Sequence, residues 1–324
     1  MNQRPKIGLI GYRTHQGGLS EVNRQLAKYC NVTDWLVIPS ASPSLPGSSN
    51  IKDWQVDETA AFVRAVDVVL FAETPHYPSI LVEARKQGKA VVCIPMQEWL
   101  FPERDPWTSL VDRYLCPTRH CFDLFKDKLP CTLFEWPADT ARHECRPRIK
   151  CEQFLWIRGN GGFLGRKGEH TIRKLVRLWP EIPLTILTWN PMRDLTGPNL
   201  QYRFCADDNR NIYDDSDVLL LPHTRDGIGL SCLEAACAGL PVIATHGRPW
   251  DEYFLLDWIE SQQDAGSYIP NARHLETLCR DWHGKGIYQQ SIDSYLWAKA
   301  RSWTNRAGLI NQLLREEHLT CQHK

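Results

Sequence analysis

The stretch DVLLLPHTRDGIGLSCLEAACAGLPVIAT, residues 217–245, decides how the rest of the chain is read. Its first seven residues form a continuous apolar run that ends in Pro222 and His223, the pattern of a strand buried on both faces. A loop carrying Gly227 and Gly229 follows. A helix is expected to begin at Leu230 or Ser231, and Gly239 with Pro241 closes it. PVIAT then reads as the next strand. A strand, a glycine loop, a helix and a strand in that order are the repeating unit of a parallel sheet. Asp226 and Glu234 stand eight positions apart across the glycine loop.

The same alternation runs outward in both directions. Before residue 140, strands are expected at Lys6–Tyr12, DWLVIPS, VDVVLFAE (66–73), KAVVCIP (89–95), RYLCPT (113–118) and CTLFEWP (131–137). Helices are expected at Leu19–Cys30, 79–88 and HCFDLFKDKL. After 150, QFLWIRG, PLTILTW and 217–223 read as strands, and EHTIRKLVRLW as a helix with Ile172, Leu175, Val176 and Trp179 on one side. The end of the chain reads as one or two helices with a polar tail. Between the halves, ADTARHECRPRIKCE (138–152) is polar, basic and Pro-containing. The expected organisation is two doubly wound α/β domains, residues 1–140 and 151–324, with 141–150 as a linker. Their sheets would face a shared cleft, and the last helix could pack back on the first domain.

Composition bounds the function. The chain has 324 residues, 43% hydrophobic and 23% charged, with 38 basic and 38 acidic residues. That is ordinary for a globular protein and long enough for two cores. A net charge of zero gives no chain-wide attraction to nucleic acid or an anionic membrane. No apolar run approaches the roughly 18 residues of a membrane span. The opening MNQRPKIGLIGYR is too short in apolar residues for a secretory signal, so a cytoplasmic location is expected. The twelve cysteines show no C-x-x-C spacing and are expected to be reduced thiols packed as small hydrophobes.

The loop at 224–230 offers a phosphate-binding arrangement. Glycines let a ligand approach the backbone, and free N–H groups at a helix start attract an anion. Glu234 could accept two hydrogen bonds from a ribose diol. The competing reading is structural, because Ser231-x-x-Glu234 also has the form of a capping box. Asp215-Ser216-Asp217 has a D-x-D form used elsewhere for metal-bound nucleotide sugars. It precedes a strand and so is expected at the wrong end of the sheet.

DGIGLSCLEAACAGLPVIAT resembles the signature of glycosyltransferase family 4, an E-G-F-G-L-x-x-L-E-A-x-A-x-G-x-P-V-I-A-like run, with Asp226 where that family usually has Glu. IYDDSDVLLLPH, LGRKGEHTIRKLVRL, GYRTHQGGLSEVNRQLAKY and SWTNRAGLINQLL resemble other stretches of the family, in order. The resemblance implies a GT-B fold and retaining transfer of a sugar from a nucleotide diphosphate sugar, without a metal or other cofactor. It implies that Glu234 binds the donor ribose and that the Gly229 and Leu230 amides, with Gly227 and Ser231 around them, hold the diphosphate. Asp226 would face the donor sugar, and Lys167 with an arginine would neutralise the leaving diphosphate. Arg158 is favoured for that arginine, with Arg166 second. Gly17 and Gly18 match the glycine loop after the first strand. The family's usual His after the strand matching KAVVCIP is missing, so a base for the acceptor could come from Glu98, Glu73, His76 or His15.

Three classes stay open. One is a transferase acting on a small-molecule, glycan or lipid-linked acceptor. The second is a transferase acting on nucleic acid, such as modified DNA bases, which the neutral charge does not advertise. The third is a non-catalytic nucleotide-sugar-binding relative.

Overall fold

The computed structural model describes residues 4–11, 17–37, 56–75, 78–159, 165–190, 192, 194–204, 211–254, 257–264 and 266–322. The chain divides into two compact units. Unit 1 is Met1–Trp136 with Thr304–Lys324, and unit 2 is Pro137–Trp303.

Unit 1 is a six-stranded, all-parallel sheet. Its strands are β1 (Ile7–Gly11), β2 (Val32–Val37), β3 (Val68–Ala72), β4 (Ala90–Ile94), β5 (Arg113–Cys116) and β6 (Cys131–Leu133), in the order β2-β1-β3-β4-β5-β6. Every residue of β1, β3 and β4 is buried. This is what unbroken apolar runs predict for strands covered on both faces. The helices α1 (Gly18–Tyr29), α2 (Val56–Ala65), α3 (Pro78–Lys86) and α4 (Arg119–Phe125) connect them. One core gathers Ile10, Val69, Phe71, Ile80, Leu81, Val91, Tyr114 and Cys121. The direction of winding reverses between β1 and β3. The C-terminal helix, Trp303–Gln322, contributes its residues from Thr304 onward to this unit.

Unit 2 repeats the architecture. Its sheet strands are β7 (Phe154–Gly159), β8 (Leu184–Thr188), β9 (Leu200–Phe204), β10 (Val218–Leu221), β11 (Val242–Thr245) and β12 (Asp257–Ile259). They are all parallel, in the order β12-β11-β10-β7-β8-β9. A hairpin of β13 (Ser261–Asp264) and β14 (Ser267–Pro270) stands apart from the sheet. Helices α5 (Glu169–Leu178), α6 (Leu230–Cys237), α7 (Ala272–Trp282) and α8 (Tyr288–Ala300) complete it. The core of this unit gathers Phe154, Trp156, Ile172, Leu175, Leu184, Ile186, Leu220 and Ile243. The chain runs outward from β7 through β8 to β9, then returns to place β10 on the other side of β7. Loops leaving the carboxyl ends of β7 and β10 therefore diverge, and such a switch point is where open α/β sheets bind ligands.

The expected linker is corrected by the structure. Residues 141–150 belong to unit 2, and the division falls between Trp136 and Pro137. One of their charges is not solvated as a linker's would be. Arg148 is buried, and its guanidinium donates to the carbonyls of Ser216 and Tyr213, both at 2.7 Å. The Arg148 amide donates to Ser291 Oγ at 2.8 Å, and Ile287 donates its N–H to Ile149 O at 2.9 Å. The segment is thus tied to its own unit by α8 and by the turn before β10. At its start, Ala138 exchanges backbone hydrogen bonds with Arg301 and Trp303, both at 3.1 Å.

Asp217, the second acid of the D-x-D stretch, accepts the N–H groups of Glu152 and Gln153 at 2.8 Å each. It organises the entrances of β7 and β10, at the amino end of the sheet. The eleven described cysteines are free thiols. Burial pushes Cys30, Cys93, Cys232, Cys237 and Cys279 well above the ordinary thiol range, as expected of packed, unreactive groups.

Candidate functional site

At the switch point of unit 2, two loops touch. The turn 165–168 lies directly against the segment leaving β10, with Thr224 donating its N–H to Arg166 O at 2.9 Å. Gly168 makes this approach feasible. A Cβ built on it would stand 1.9 Å from Pro222 O, and its φ of +78° is one that side chains disfavour. From below, the indole Nε1 of Trp156 donates to Lys167 O at 2.9 Å. The backbone of the turn is thereby fixed, and Arg166 and Lys167 are delivered beside the glycine loop.

Asp226 is the hub of that loop. Its Oδ1 accepts the N–H of Gly227 at 2.9 Å and that of Gly229 at 3.4 Å. Its Oδ2 lies 3.1 Å from His223 Nδ1 and 3.8 Å from Lys167 Nζ. The side chain is 17% exposed. Burial works to raise its pKa. The Lys167 ammonium, the His223 hydrogen bond and Arg166 outweigh that and hold the carboxyl below the usual carboxylate range. His223 is fully buried. Burial first, then the Lys167 charge, lowers its pKa from 6.5 to about 4, against the pull of Asp226. The ring is therefore neutral at neutral pH.

This geometry divides the backbone donors expected to meet a diphosphate. Gly227 and Gly229 already spend their N–H groups on Asp226. Leu230 and Ser231, the first two residues of α6, have no acceptor for their N–H groups among the described residues. Cys232 and Leu233, by contrast, donate to Gly229 O. The anion-seeking positions are thus the helix start itself, one step beyond the glycines. Gly229 is the N-cap, with φ +75°, and a Cβ on it would stand 3.0 Å from Tyr253 Cε2.

The capping-box reading of Glu234 does not survive the helix boundaries. Because Gly229 is the N-cap, Glu234 is the fifth helical residue, too far along to reach back to the N-cap amide. Its Oε2 accepts a hydrogen bond from the Tyr213 hydroxyl at 2.8 Å. Tyr213 is fully buried, and its own pKa is pushed up by burial and then by the Glu234 charge. A buried phenol therefore holds a half-buried carboxylate on α6.

Arg158 makes no described bond to this group. It pairs with Glu169 at 3.0 Å and donates to Thr188 Oγ1 at 3.1 Å and Asn190 O at 3.2 Å. The arginine beside Asp226 is Arg166, whose charge acts on both Asp226 and His223.

Of the candidates in the other unit, Gly17, Gly18, Glu73 and Glu98 follow β1, β3 and β4. Gly17, with φ +111°, is the N-cap of α1, and Gly18 opens that helix after β1. Glu73 follows β3 with a left-handed φ of 68°, a sparsely populated conformation for a side-chain residue. Glu98 lies half-buried in the turn after β4. His15 and His76 lie outside the described residues. Sequence reasoning gave no role to His223, Tyr213, Trp250 or Tyr253. For His223 a signal was available: it directly follows the apolar strand run, at the sheet end where ligands bind.

Residues 194–255 match the family model described as Glycosyl transferases group 1. No curated protein matches the chain. Among solved structures, the chain is similar to a glycosyltransferase from Rickettsia africae, with TM-score 0.66 at 11% identity, covering 97% of this chain and 99% of that one. It is similar to a sucrose-phosphate synthase from Thermosynechococcus elongatus, with TM-score 0.65 at 12% identity, covering 96% and 98%. It is also similar to the Anabaena protein HepE in complex with UDP and glucose, with TM-score 0.61 at 12% identity, covering 96% and 98%. The two parallel six-stranded sheets are those of the GT-B fold. Among the described residues, no helix is long and apolar enough to cross a membrane.

Proposed function

We propose that the chain is a group 1 glycosyl transferase, that unit 2 binds a nucleotide diphosphate sugar and that its sugar passes, with retention, to an acceptor hydroxyl. The observation that carries this reading is the convergence at the β7/β10 switch point. Two cationic side chains, Arg166 and Lys167, flank a loop that leads into a helix start with two N–H groups that have no acceptor among the described residues. Such an arrangement suits the diphosphate, and more so as charge builds on it when the glycosidic bond breaks. Glu234, held by Tyr213, is the acceptor for the ribose diol. No metal is required in this reading, because cations and helix start supply the neutralisation. The complexes with UDP-sugar among the similar structures support a nucleotide-sugar donor. Retention rests on the resemblance of the signature to its family. The acceptor is a small molecule, glycan or lipid-linked sugar.

A thermal-shift panel of nucleoside diphosphates, their sugars and inorganic pyrophosphate tests the proposal. A ligand that binds only the folded protein stabilises it by about 2.7 kcal/mol at a hundredfold excess over Kd. At least one nucleoside diphosphate should raise Tm, and Lys167→Ala should weaken that effect. A panel in which no diphosphate binds would overturn the donor assignment.

A further inference from the structure

His223 belongs to no role assigned above, yet it is the most tightly enclosed polar group near the glycine loop. It follows β10 directly and is fully buried. One nitrogen, Nδ1, lies 3.1 Å from Asp226 Oδ2. The other, Nε2, is buried without a hydrogen-bond partner among the described residues. Trp250 is also fully buried, and its indole Nε1 likewise has no partner among the described residues. The two rings meet edge to face with centroids 6.1 Å apart. Trp250 also lies under the glycine loop, its Nε1 3.8 Å from where a Cβ on Gly229 would stand.

These facts select one tautomer. Asp226 is ionised, so the nitrogen facing it must carry the proton; a bare Nδ1 lone pair would repel the carboxylate. Nε2 is then an acceptor. The opposite tautomer would leave Asp226 facing a lone pair. A charged ring is disfavoured by complete burial and by the neighbouring Lys167 and Arg166.

We propose that His223 is a positioning residue: as the neutral Nδ1–H tautomer it holds Asp226 Oδ2 and so limits how closely Lys167 pairs with that carboxylate. His223 and Lys167 share one oxygen. His223 stands within hydrogen-bond distance, while Lys167 Nζ stands at 3.8 Å. Without the His223 donor, Oδ2 would turn its full charge to Lys167 and draw the ammonium onto itself. A cation tied to an internal carboxylate neutralises an incoming diphosphate less well. The titratable and charged groups facing His223 are Asp226 from its own loop and Arg166 and Lys167 from the turn before α5. Trp250, after β11, presents an uncharged donor.

This inference rests on the proposed diphosphate site for its ligand, and the test separates the two. The first arm needs no ligand. In the 15N-histidine-labelled full chain, the resonance that disappears in His223→Asn should show a protonated Nδ1 and a bare Nε2, unchanged from pH 7 to about pH 5, since the ring titrates near 4. An Nε2–H tautomer, or a charged ring at neutral pH, overturns the proposal whatever the protein binds. The second arm titrates inorganic pyrophosphate, which needs no knowledge of the base. Asn places an N–H where Nδ1 sits, whereas Gln reaches the Nε2 position. His223→Asn should bind within about twofold of the parent. His223→Gln should bind about tenfold more weakly, the loss of one hydrogen bond to a charged partner. Equal weakening by both, with equal loss of Tm, would mean that His223 only fills space, and would overturn the positioning role. If neither pyrophosphate nor any nucleoside diphosphate binds the parent chain, the donor assignment fails, and the tautomer alone decides the His223–Asp226 claim.

Discussion

Glu234 stands on the second turn of α6 with the Tyr213 hydroxyl against Oε2, and these two groups separate ligand binding from helix stability. Glu234→Gln keeps an acceptor oxygen but loses the charge. Hydrogen bonds to a charged partner contribute about 1.5–3 kcal/mol, against roughly 1 for neutral ones, so nucleoside diphosphate affinity should fall about tenfold. Pyrophosphate affinity should not change, because that ligand has no ribose. Tyr213→Phe should act in the same direction on the same ligand, more weakly, by leaving the carboxylate without its buried donor. Calorimetric titration of both ligands decides it. Normal nucleoside diphosphate affinity in Glu234→Gln would remove Glu234 from the ribose site.

His223 also predicts how stability depends on pH. Its folded pKa, about 4, lies below the ordinary 6.5, so the unfolded chain binds more protons between those values. Stability therefore rises with pH across that window. A contribution on the order of 3 kcal/mol is fully present above pH 6.5 and is lost as pH falls towards 4. Asp226 acts in the same direction but lower, in the range where carboxylates titrate. Urea midpoints at pH 7, 6 and 5 should fall more steeply for the parent than for His223→Asn, which has nothing to titrate at that position. Parallel slopes would show that the ring is not held neutral.

At the scale of elements, the legible parts were those where one physical demand dominates. β7, β8, β10 and β11 read as strands because both faces are covered, which requires unbroken apolar runs. The helix after the glycine loop was legible through Gly229 at its start and Gly239 at its end. Edge and satellite elements gave no such signal. β9 reads LQYRF and is half-exposed, and the hairpin opens with SQQD, with no periodicity to mark a strand. The basic segment 141–150 was misread because charge usually means solvent, whereas Arg148 satisfies three backbone carbonyls, of Arg146, Tyr213 and Ser216. A single sequence does not show which carbonyls a guanidinium will find, nor that Arg158 is committed to Glu169.

The same scale gives a sharp mutational expectation for the turn before α5. Gly168→Ala must either push the turn off Pro222 or adopt a strained φ, and both separate Lys167 from Asp226. A loss of roughly 1–3 kcal/mol is expected from the strain and displaced packing. Gly165→Ala is the control. It carries a similar φ of +67°, but a Cβ there meets nothing within 4 Å. Urea unfolding should show the larger loss at Gly168, with pyrophosphate binding weakened there and nearly retained at Gly165. Equal effects on both readouts would mean that backbone conformation alone matters, and that the close approach to Pro222 does not shape the site.

At the scale of the whole molecule, the chain leaves unit 1 after Trp136 and returns to it at Thr304, so unit 1 is completed only by a segment that follows unit 2 in the chain. That segment is held by specific bonds. Glu317 is buried and pairs with Arg113 of β5 at 2.5 Å, and Asn311 donates to Tyr29 O and accepts from Asn31 at 2.8 Å each. Ile310 and Leu314 are buried as well. Removing Thr304–Lys324 would leave Arg113 without its carboxylate and expose the apolar surface those side chains cover. Two buried aliphatic side chains alone correspond to about 3–6 kcal/mol of burial, a large part of a domain's net stability. Unit 2 keeps its sheet and its own core in such a truncation. Amide hydrogen exchange on the chain ending at Trp303 should therefore show β1, β4 and β5 losing protection while β7, β10 and β11 keep theirs. Uniform loss across both sheets would mean that the two units unfold as one. Unchanged exchange in β5 would mean that the final helix is dispensable to the unit it completes.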